Sequence, residues 1–470
     1  METALRNDYK KGFVPFAFAA ALVSLCGGFT ASIPATIVGA WGIDGIYTTW
    51  ITLAYSMGMG ACAPVLGKLS DIFGRRATLM LGVALIAVGE LLIGIAPVGA
   101  IVLVLAARFV VGVGAAAIAP TVISYITTEY PPTEMSKGFT LYMVLSSAMV
   151  IFGPAVGGII VKASNWRVVM YVCAGIAAVV FVVCLMTLKK SSAPKKGLAG
   201  FDIFGGIFIL VFFSLALAVP TMGQSVGWTT TSTLIVIGAT VAALIILFVA
   251  EKKARSPILN GKFMARKQFI MPIVVLFLTQ GLMQACMTNT IVFVMQTQPD
   301  NTIISNFSIS IMYIGMTLGT LFMGPLADKR EPRVVSSIAL LFCALGAALQ
   351  LLFKADSGFV LFAGSLFLIG LGLGGNGTIF MKVVLSGLSP EMAGAGSGTF
   401  TVFRDLSAPF GVAVFVPMFT NGMSGAIAGG AALTDAAVGS MRSVAGVQLA
   451  CVIVGIIICL LLPKIHGEKK

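Results

Sequence analysis

The amino-acid sequence predicts an all-α membrane protein that crosses the bilayer fourteen times. Of its 470 residues, 58% are hydrophobic and only 10% are charged, whereas an ordinary soluble domain carries about 25% charged residues. Apolar runs of roughly 18 to 28 residues recur along the chain, and each is long enough to cross a hydrocarbon core of ~30 Å as a helix. Helices are expected because lipid offers no hydrogen-bond partner to an open backbone.

The predicted spans follow one another with short polar loops between them. In chain order they are 12–38, 46–66, 77–96, 101–127, 138–161, 167–188, 203–222, 231–250, 268–296, 304–325, 334–353, 357–382, 393–420 and 443–463. The first span follows Arg6, Lys10 and Lys11, an arrangement that resembles a secretion signal, but it is too long for one and runs on into a second span. We therefore interpret it as a retained helix.

The net charge of +13 indicates how the chain is oriented in the bilayer. With a cytoplasmic N-terminus, most lysines and arginines fall at the cytoplasmic ends of the spans, as the positive-inside rule requires. Those that fall on the opposite side are Lys162, Arg167, Lys354 and Arg442. The pattern predicts a multi-pass protein of the cytoplasmic (inner) membrane with both termini in the cytoplasm, and it implies no nucleic-acid partner.

The residue types that enzymes and metal sites use are scattered. All eight cysteines lie in apolar spans without a CxxC pair, and His466, the only histidine, lies in a polar tail. We find no clustered nucleophile or base, no nucleotide-binding loop and no channel filter loop. We therefore expect no enzymatic activity, no cofactor and no metal site.

The chain is organised as two halves with an inserted pair of helices. The loop after the second span, 67–76, and the loop after the tenth, 324–330, place an aspartate and basic residues at matching positions. Parallel repeats of six helices form one transporter architecture, which leaves spans seven and eight over. We predict an N-terminal six-helix bundle over 1–190, a two-helix linker over 191–266 and a C-terminal six-helix bundle over 267–470.

Several short segments resemble the motifs of the major facilitator superfamily. They occur in the order of that family at residues 67–76, 108–114, 153–158, 165–167 and 202–205. The second half supplies only the weaker loop at Asp328. Fourteen spans make the chain similar to the drug:proton antiporter branch, and its overall texture also resembles a bile-acid permease. The resemblance implies two six-helix bundles related by a pseudo-twofold axis along the membrane normal.

The repeated loop is implied by the resemblance to act as a conformational latch between helix bundles. The residues that carry this role are Gly67, Asp71, Gly74, Arg75 and Arg76 in the first half, with Asp328 and Arg330 in the second. Charges at helix ends are also favoured by the helix dipole. Ordinary charge that sets orientation is therefore the alternative, above all for Arg76.

Full charges inside spans are costly, so each of them needs an explanation. Arg108 lies in the fourth span, and Glu90 in the third is the other charge at comparable depth in the first half. One alternative is structural, with Arg108 paired with Glu90 or bound by carbonyl groups, and the other is proton coupling at Glu90 with charge sensing at Arg108. A permanently neutral Glu90 is a further alternative, because burial disfavours a charged carboxylate. In the thirteenth span, Arg404 and Asp405 point about 100° apart on a helix, so we predict substrate sensing for the first and proton coupling or a structural role for the second.

The segment 153–158 contains the glycine-proline motif Gly153, Pro154, Gly157 and Gly158. Such residues bend a helix and let two backbones approach closely. We predict a bend that seals the pathway against a proton leak.

Polar side chains on other spans are candidates for contact with a solute, with interhelical hydrogen bonding as the alternative. These candidates are Tyr125, Gln280, Gln284 and Asn376. Cation-accepting members of the resembled branch carry an aspartate in the first helix, nine residues ahead of a proline, and here that position is Leu25. The absence of this acid, with Arg108 and Arg404 present, favours an anionic or neutral solute.

These observations together predict a proton-coupled secondary transporter of an amphipathic organic solute. We favour uptake of an organic anion, such as a bile acid, by symport. Multidrug efflux by proton antiport is the alternative. The expected partners are the solute, protons and the lipid bilayer, and we expect a monomer.

Overall fold

A computed structural model describes residues 8–29, 33–43, 46–131, 134–188, 203–253, 265–298, 302–386, 388 and 393–462. Every regular element in these ranges is an α-helix. The first half contains α1 (Asp8–Phe29), α2 (Ile33–Trp41), α3 (Ile46–Phe73), α4 (Arg75–Ile95), α5 (Ile101–Glu129), α6 (Met135–Ala163) and α7 (Trp166–Thr187).

The next two helices are α8 (Ile203–Ser225) and α9 (Thr231–Lys253). The second half contains α10 (Lys267–Thr297), α11 (Thr302–Lys329), α12 (Pro332–Gln350), α13 (Phe359–Leu385), α14 (Ala393–Ala428) and α15 (Leu433–Leu460).

The predicted all-α membrane fold is confirmed. Within the described ranges, nine helices are long and apolar enough to cross a membrane, and four shorter apolar helices accompany them. The first predicted span covers α1 and α2, and residues 30–32 between them lie outside the described ranges. The last span begins at Leu433 and not at residue 443, because polar residues can extend a helix beyond the apolar run from which we placed its end.

The chain divides into two compact units. Unit 1 comprises residues 1–264 and 388–405, and unit 2 comprises residues 265–387 and 406–470. The predicted domain bounds at 190, 266 and 470 stay a prediction.

Equivalent helices pack in the same way within each unit. In unit 1, α5 packs on α3 and α4, and α7 packs on α4 and α1. In unit 2, α13 packs on α11 and α12, and α15 packs on α12 and α10. The remaining helices α8 and α9 pack on each other, and α8 also packs on α3.

Glycines establish which residues of the two halves correspond. A methyl group on Gly89 of α4 would lie 3.0 Å from the carbonyl oxygen of Ala107 on α5. A methyl group on Gly346 of α12 would lie 2.7 Å from the carbonyl oxygen of Ser365 on α13. The helix pairs therefore share one register, in which the residue after Gly89 corresponds to the residue after Gly346.

The predicted glycine-proline motif lies on α6, where the backbone meets α1. A methyl group on Gly153 would lie 2.7 Å from Cα of Gly28, and one on Gly157 would lie 2.6 Å from the carbonyl oxygen of Phe29. Side chains larger than hydrogen would therefore push the two helices apart. The helix α6 continues through Pro154 and Gly158, and the predicted bend and leak seal stay predictions.

Candidate functional site

Glu90 and Arg108 form a buried ion pair in unit 1. Glu90 of α4 has no exposed surface, and Arg108 of α5 is 4% exposed. Arg108 Nη1 lies 3.9 Å from Glu90 Oε1, which is too far for a hydrogen bond. Among the residues that the structure describes, neither carboxylate oxygen of Glu90 accepts a hydrogen bond.

The pair lies on a small cavity where four helices meet. Two glycines on these helices, Gly82 and Gly114, approach each other so closely that a methyl group on Gly82 would lie 2.7 Å from the carbonyl oxygen of Gly114. This close approach brings α4 and α5 together along the length that carries the pair. The cavity is lined by Val23, Cys26 and Gly27 of α1, Tyr55 of α3, Ile86 and Glu90 of α4, and Arg108, Val111 and Ala115 of α5.

The chemistry of this arrangement centres on one exchangeable proton. A buried carboxylate without hydrogen bonds is costly in its charged form, while the guanidinium of Arg108 attracts that charged form. Gaining or losing a proton at Glu90 therefore changes the net charge beside the cavity by one unit. The pair combines the two residues that the sequence marked for proton coupling and charge sensing, and both roles stay predictions.

The predicted latch residues of the first half surround the turn between α3 and α4. Gly74 makes this turn with a φ of 91°, a conformation that a glycine adopts without strain. Arg75 Nη1 donates to Glu129 at 3.1 Å, and Arg76 donates to the carbonyl oxygen of Leu185 at 3.3 Å. The two arginines thus join α4 to the end of α5 and to α7 within unit 1.

The remaining latch residues lie at the ends of α3 and α11. Gly67 and Asp71 lie on α3, and the side chain of Asp71 is outside the description. Asp328 lies in the last turn of α11 with its side chain likewise outside the description, and Arg330 is exposed. The latch role of all seven residues stays a prediction.

Tyr125 lies beside Arg75 and is not among the residues that line the cavity at Glu90. Its hydroxyl donates to the carbonyl oxygen of Tyr9 at 3.0 Å, its ring stacks on Phe16 with 4.4 Å between centroids, and Arg75 lies 5.8 Å above it. These contacts hold the start of α1 against the end of α5. Contact with a solute stays a prediction for this residue.

A cluster around Glu134, between α5 and α6, was not predicted. Glu134 accepts a hydrogen bond from the Tyr9 hydroxyl at 2.7 Å, and Lys10 and Lys137 each lie 3.6 Å from its carboxylate. The hydrogen bond from Tyr9, followed by the nearby lysines, lowers the pKa of Glu134. The same hydrogen bond raises the pKa of Tyr9. The sequence signal was weak, because an acidic residue in a polar loop is unremarkable.

The predicted residues of the second half are spread over three helices. Asn376 on α13 is buried and donates to the carbonyl oxygen of Gly372 at 3.3 Å. Gln280 on α10 and Arg404 on α14 are partly buried. The side chains of Gln284 and Asp405 lie outside the description. Their roles in solute contact and proton coupling stay predictions.

Unit 2 also holds polar residues that the sequence analysis missed. Gln350 and Gln448 are both fully buried, and both carbonyl oxygens lie near the thiol of Cys286. The available signal was a glutamine inside each of two predicted apolar spans, 334–353 and 443–463.

Comparison with known proteins agrees with this architecture. The chain is 24% identical over 385 residues to multidrug resistance protein 3 of Bacillus subtilis (strain 168), covering 81% of this chain and 74% of that protein. It is 24% identical over 381 residues to multidrug resistance protein Stp of Mycobacterium tuberculosis (strain CDC 1551 / Oshkosh), covering 80% and 69%.

Among solved structures, the human organic anion transporter MFSD10 superposes with a TM-score of 0.67 at 15% identity, covering 95% of this chain and 99% of that chain. The family model of the Major Facilitator Superfamily matches residues 16–412. The protein is thus a multi-pass membrane transporter and not an enzyme, and the chain belongs to the major facilitator superfamily.

Proposed function

We propose that the protein exports an amphipathic organic solute from the cell by proton antiport, with Glu90 as the proton carrier and Arg108 as its charge partner. It would act in the cytoplasmic membrane with both termini in the cytoplasm. The single observation that carries the proposal is the buried carboxylate of Glu90, which lies on a cavity without a hydrogen-bond donor among the described residues.

The comparison of the two halves supports a functional role for the pair. In the shared register, Glu90 corresponds to Ala347 and Arg108 corresponds to Leu366, and both residues of unit 2 are fully buried. At these two positions, unit 2 therefore packs with apolar side chains in place of the charges. A buried ion pair is often no more stabilising than apolar residues of similar size, so packing does not explain why unit 1 carries charges here.

Glu90 also bears on the missing acid of the first helix. The cavity that holds Glu90 is lined on α1 by Cys26 and Gly27, the residues directly after Leu25. Glu90, in the third predicted span, therefore lies beside the first helix. It is close to Leu25, the position at which cation-accepting members of the resembled branch carry an aspartate. This placement weakens the argument from the sequence that a cationic solute is disfavoured.

The direction of transport is supported by the relatives. Two proteins that the chain resembles over four fifths of its length are named for multidrug resistance. The expected uptake of a bile acid by symport has no comparable support. It remains the second candidate because Arg108, a cation, lies on the same cavity as Glu90 and suits an anionic solute.

Transport by purified protein in lipid vesicles tests the proposal. The probe is the lipophilic cation ethidium, and a pH gradient is imposed across the vesicle membrane. An antiporter should accumulate ethidium in vesicles with an acidic interior, and Glu90→Gln should lose most of this gradient-driven accumulation because it has no exchangeable carboxyl proton. Exchange of labelled for unlabelled ethidium without a gradient should be affected much less, because exchange requires no net proton movement.

Two results would contradict the proposal. Accumulation driven by an acidic exterior would indicate symport and place the second candidate first. Normal gradient-driven accumulation by Glu90→Gln would move the proton role away from Glu90, with Asp405 as the next residue to test.

A further inference from the structure

A second buried polar site lies in unit 2, and it carries no charged side chain. The thiol of Cys286 on α10 lies 3.3 Å from Gln448 Oε1 on α15 and 3.8 Å from Gln350 Oε1 on α12. All three residues have no exposed surface. The site therefore joins three helices through contacts of a single sulfur atom.

The hydrogen-bonding capacity of these groups does not balance. A thiol has one proton, so at any moment only one of the two glutamine carbonyl oxygens can accept it. The amide nitrogens of Gln350 and Gln448 have no hydrogen-bond partner among the residues that the structure describes. A buried amide nitrogen without a hydrogen-bond partner is unfavourable, so the site favours a guest that supplies one.

Exchanging the oxygen and nitrogen of a glutamine amide does not repair the imbalance. An exchanged amide would point its NH₂ group at the sulfur, which is a weak acceptor, and its carbonyl oxygen would then take the unpartnered position. The site needs a guest that accepts hydrogen bonds from amide groups.

One turn further along α10, Asn289 is also incompletely paired. Its Nδ2 donates to the carbonyl oxygen of Phe415 at 3.1 Å, while its Oδ1 is buried and has no partner within the described part of the chain. The neighbouring hydroxyl of Thr290 is in the same state. Donors and acceptors are thus both left open, and this combination matches a neutral guest that can donate and accept.

We propose that Cys286, Gln350 and Gln448 form an internal water-binding site, in which one or two water molecules accept hydrogen bonds from the glutamine amides. Buried waters in proteins make about three hydrogen bonds to such groups. A cation is disfavoured because the open groups on the glutamines are donors, and an anion is disfavoured because the three residues supply no positive charge. The water molecules hold α10, α12 and α15 together by bonds that can be exchanged at low cost.

Exchange of the thiol hydrogen for deuterium tests this site, since it requires contact with water. The S–H stretching band is followed by infrared spectroscopy after transfer to D₂O, in variants that retain a single cysteine. Cys343 is the matched control, because it is equally buried in unit 2 and its thiol donates to the carbonyl oxygen of Ile369 at 3.5 Å. Cys286 should exchange at least about tenfold faster than Cys343.

The glutamines provide the second comparison. In a Gln350→Leu, Gln448→Leu variant the excess exchange rate at Cys286 should disappear, because the groups that hold the water are gone. Gln448→Met alone is a milder change that can be used if the double variant does not fold, and it should reduce the excess exchange rate at Cys286. Exchange at Cys286 that is as slow as at Cys343, or that is unchanged by both glutamine variants, overturns the proposal.

Discussion

Arg108 Nη1 lies 3.9 Å from Glu90 Oε1, which is within the range of a charge pair but beyond a hydrogen bond. The gap leaves the carboxylate dependent on a proton or on a bound group for its hydrogen bonds. The two residues lie on adjacent helices of one unit, so substitutions at these two positions test the role of the pair.

The first prediction concerns the stability of the pair. Arg108→Leu leaves a buried acid without its partner and should destabilise the protein by about 3–5 kcal/mol. Glu90→Ala combined with Arg108→Leu copies the Ala347 and Leu366 of unit 2 and should be more stable than Arg108→Leu. Thermal unfolding of the detergent-solubilised variants at neutral pH measures both. A double variant less stable than Arg108→Leu would show that unit 1 needs the charges for packing.

The second prediction concerns the charge of the solute. Because the carboxylate of Glu90 lies on the cavity without a hydrogen-bond donor among the described residues, a cationic amphiphile should be transported better than its isosteric anion, with the neutral analogue between them. Glu90→Gln should reduce this preference. Initial rates for the three compounds in vesicles provide the measurement. Preference for the anion, lost in Arg108→Gln, would favour the second candidate function and agree with the expectation drawn from the sequence.

The third prediction concerns pH and the cluster around Glu134. The folded protein holds the pKa of Glu134 below its ordinary value, chiefly through the Tyr9 hydroxyl. Its contribution to stability is therefore present above the pKa of the unfolded chain and is lost as pH falls through the folded pKa. Tyr9→Phe should raise the pKa of Glu134 towards that of the unfolded chain, so this variant should be less stable at neutral pH and should lose less stability on acidification than the parent protein.

Tyr125→Phe is the control for this experiment, because it also removes a hydroxyl near the start of α1 but leaves the Tyr9 to Glu134 bond intact. Unfolding temperatures between pH 3 and 7 are compared for both variants. Equal acid profiles for the two variants would argue against the role of the Tyr9 hydroxyl.

The fourth prediction concerns Arg167 at the start of α7. Its Nη1 donates to the carbonyl oxygens of Gly94 and Ala96 at 2.8 and 2.6 Å, at the end of α4. A cation there satisfies carbonyl groups that the helix leaves open. Arg167→Ala should cost about 1.5–3 kcal/mol of stability, whereas Arg330→Ala at an exposed position should cost less than about 0.5 kcal/mol. Equal effects of the two changes would show that the cap is unimportant.

Hydropathy was sufficient to predict where the long helices of this protein lie, although not where each of them ends. A run such as 101–127 is apolar and long enough to cross a bilayer wherever it occurs, so the prediction of α5 required no knowledge of its neighbours. The start of α15 was misplaced by ten residues, because its first turns contain polar residues that lie outside the apolar run.

The meeting of side chains from different helices was decided by the tertiary structure. The sequence marked Glu90 and Arg108 as costly charges at similar depth, and this physical argument narrowed the choice of partner. It could not place Glu90 beside Cys26 of α1, nor Tyr125 beside Tyr9 and away from the cavity. Gln350 and Gln448 lie almost one hundred residues apart, and they share one sulfur atom only because α12 and α15 pack together. Periodicity and charge predict the properties of one helix at a time. These contacts depend on which helices become neighbours and in what register.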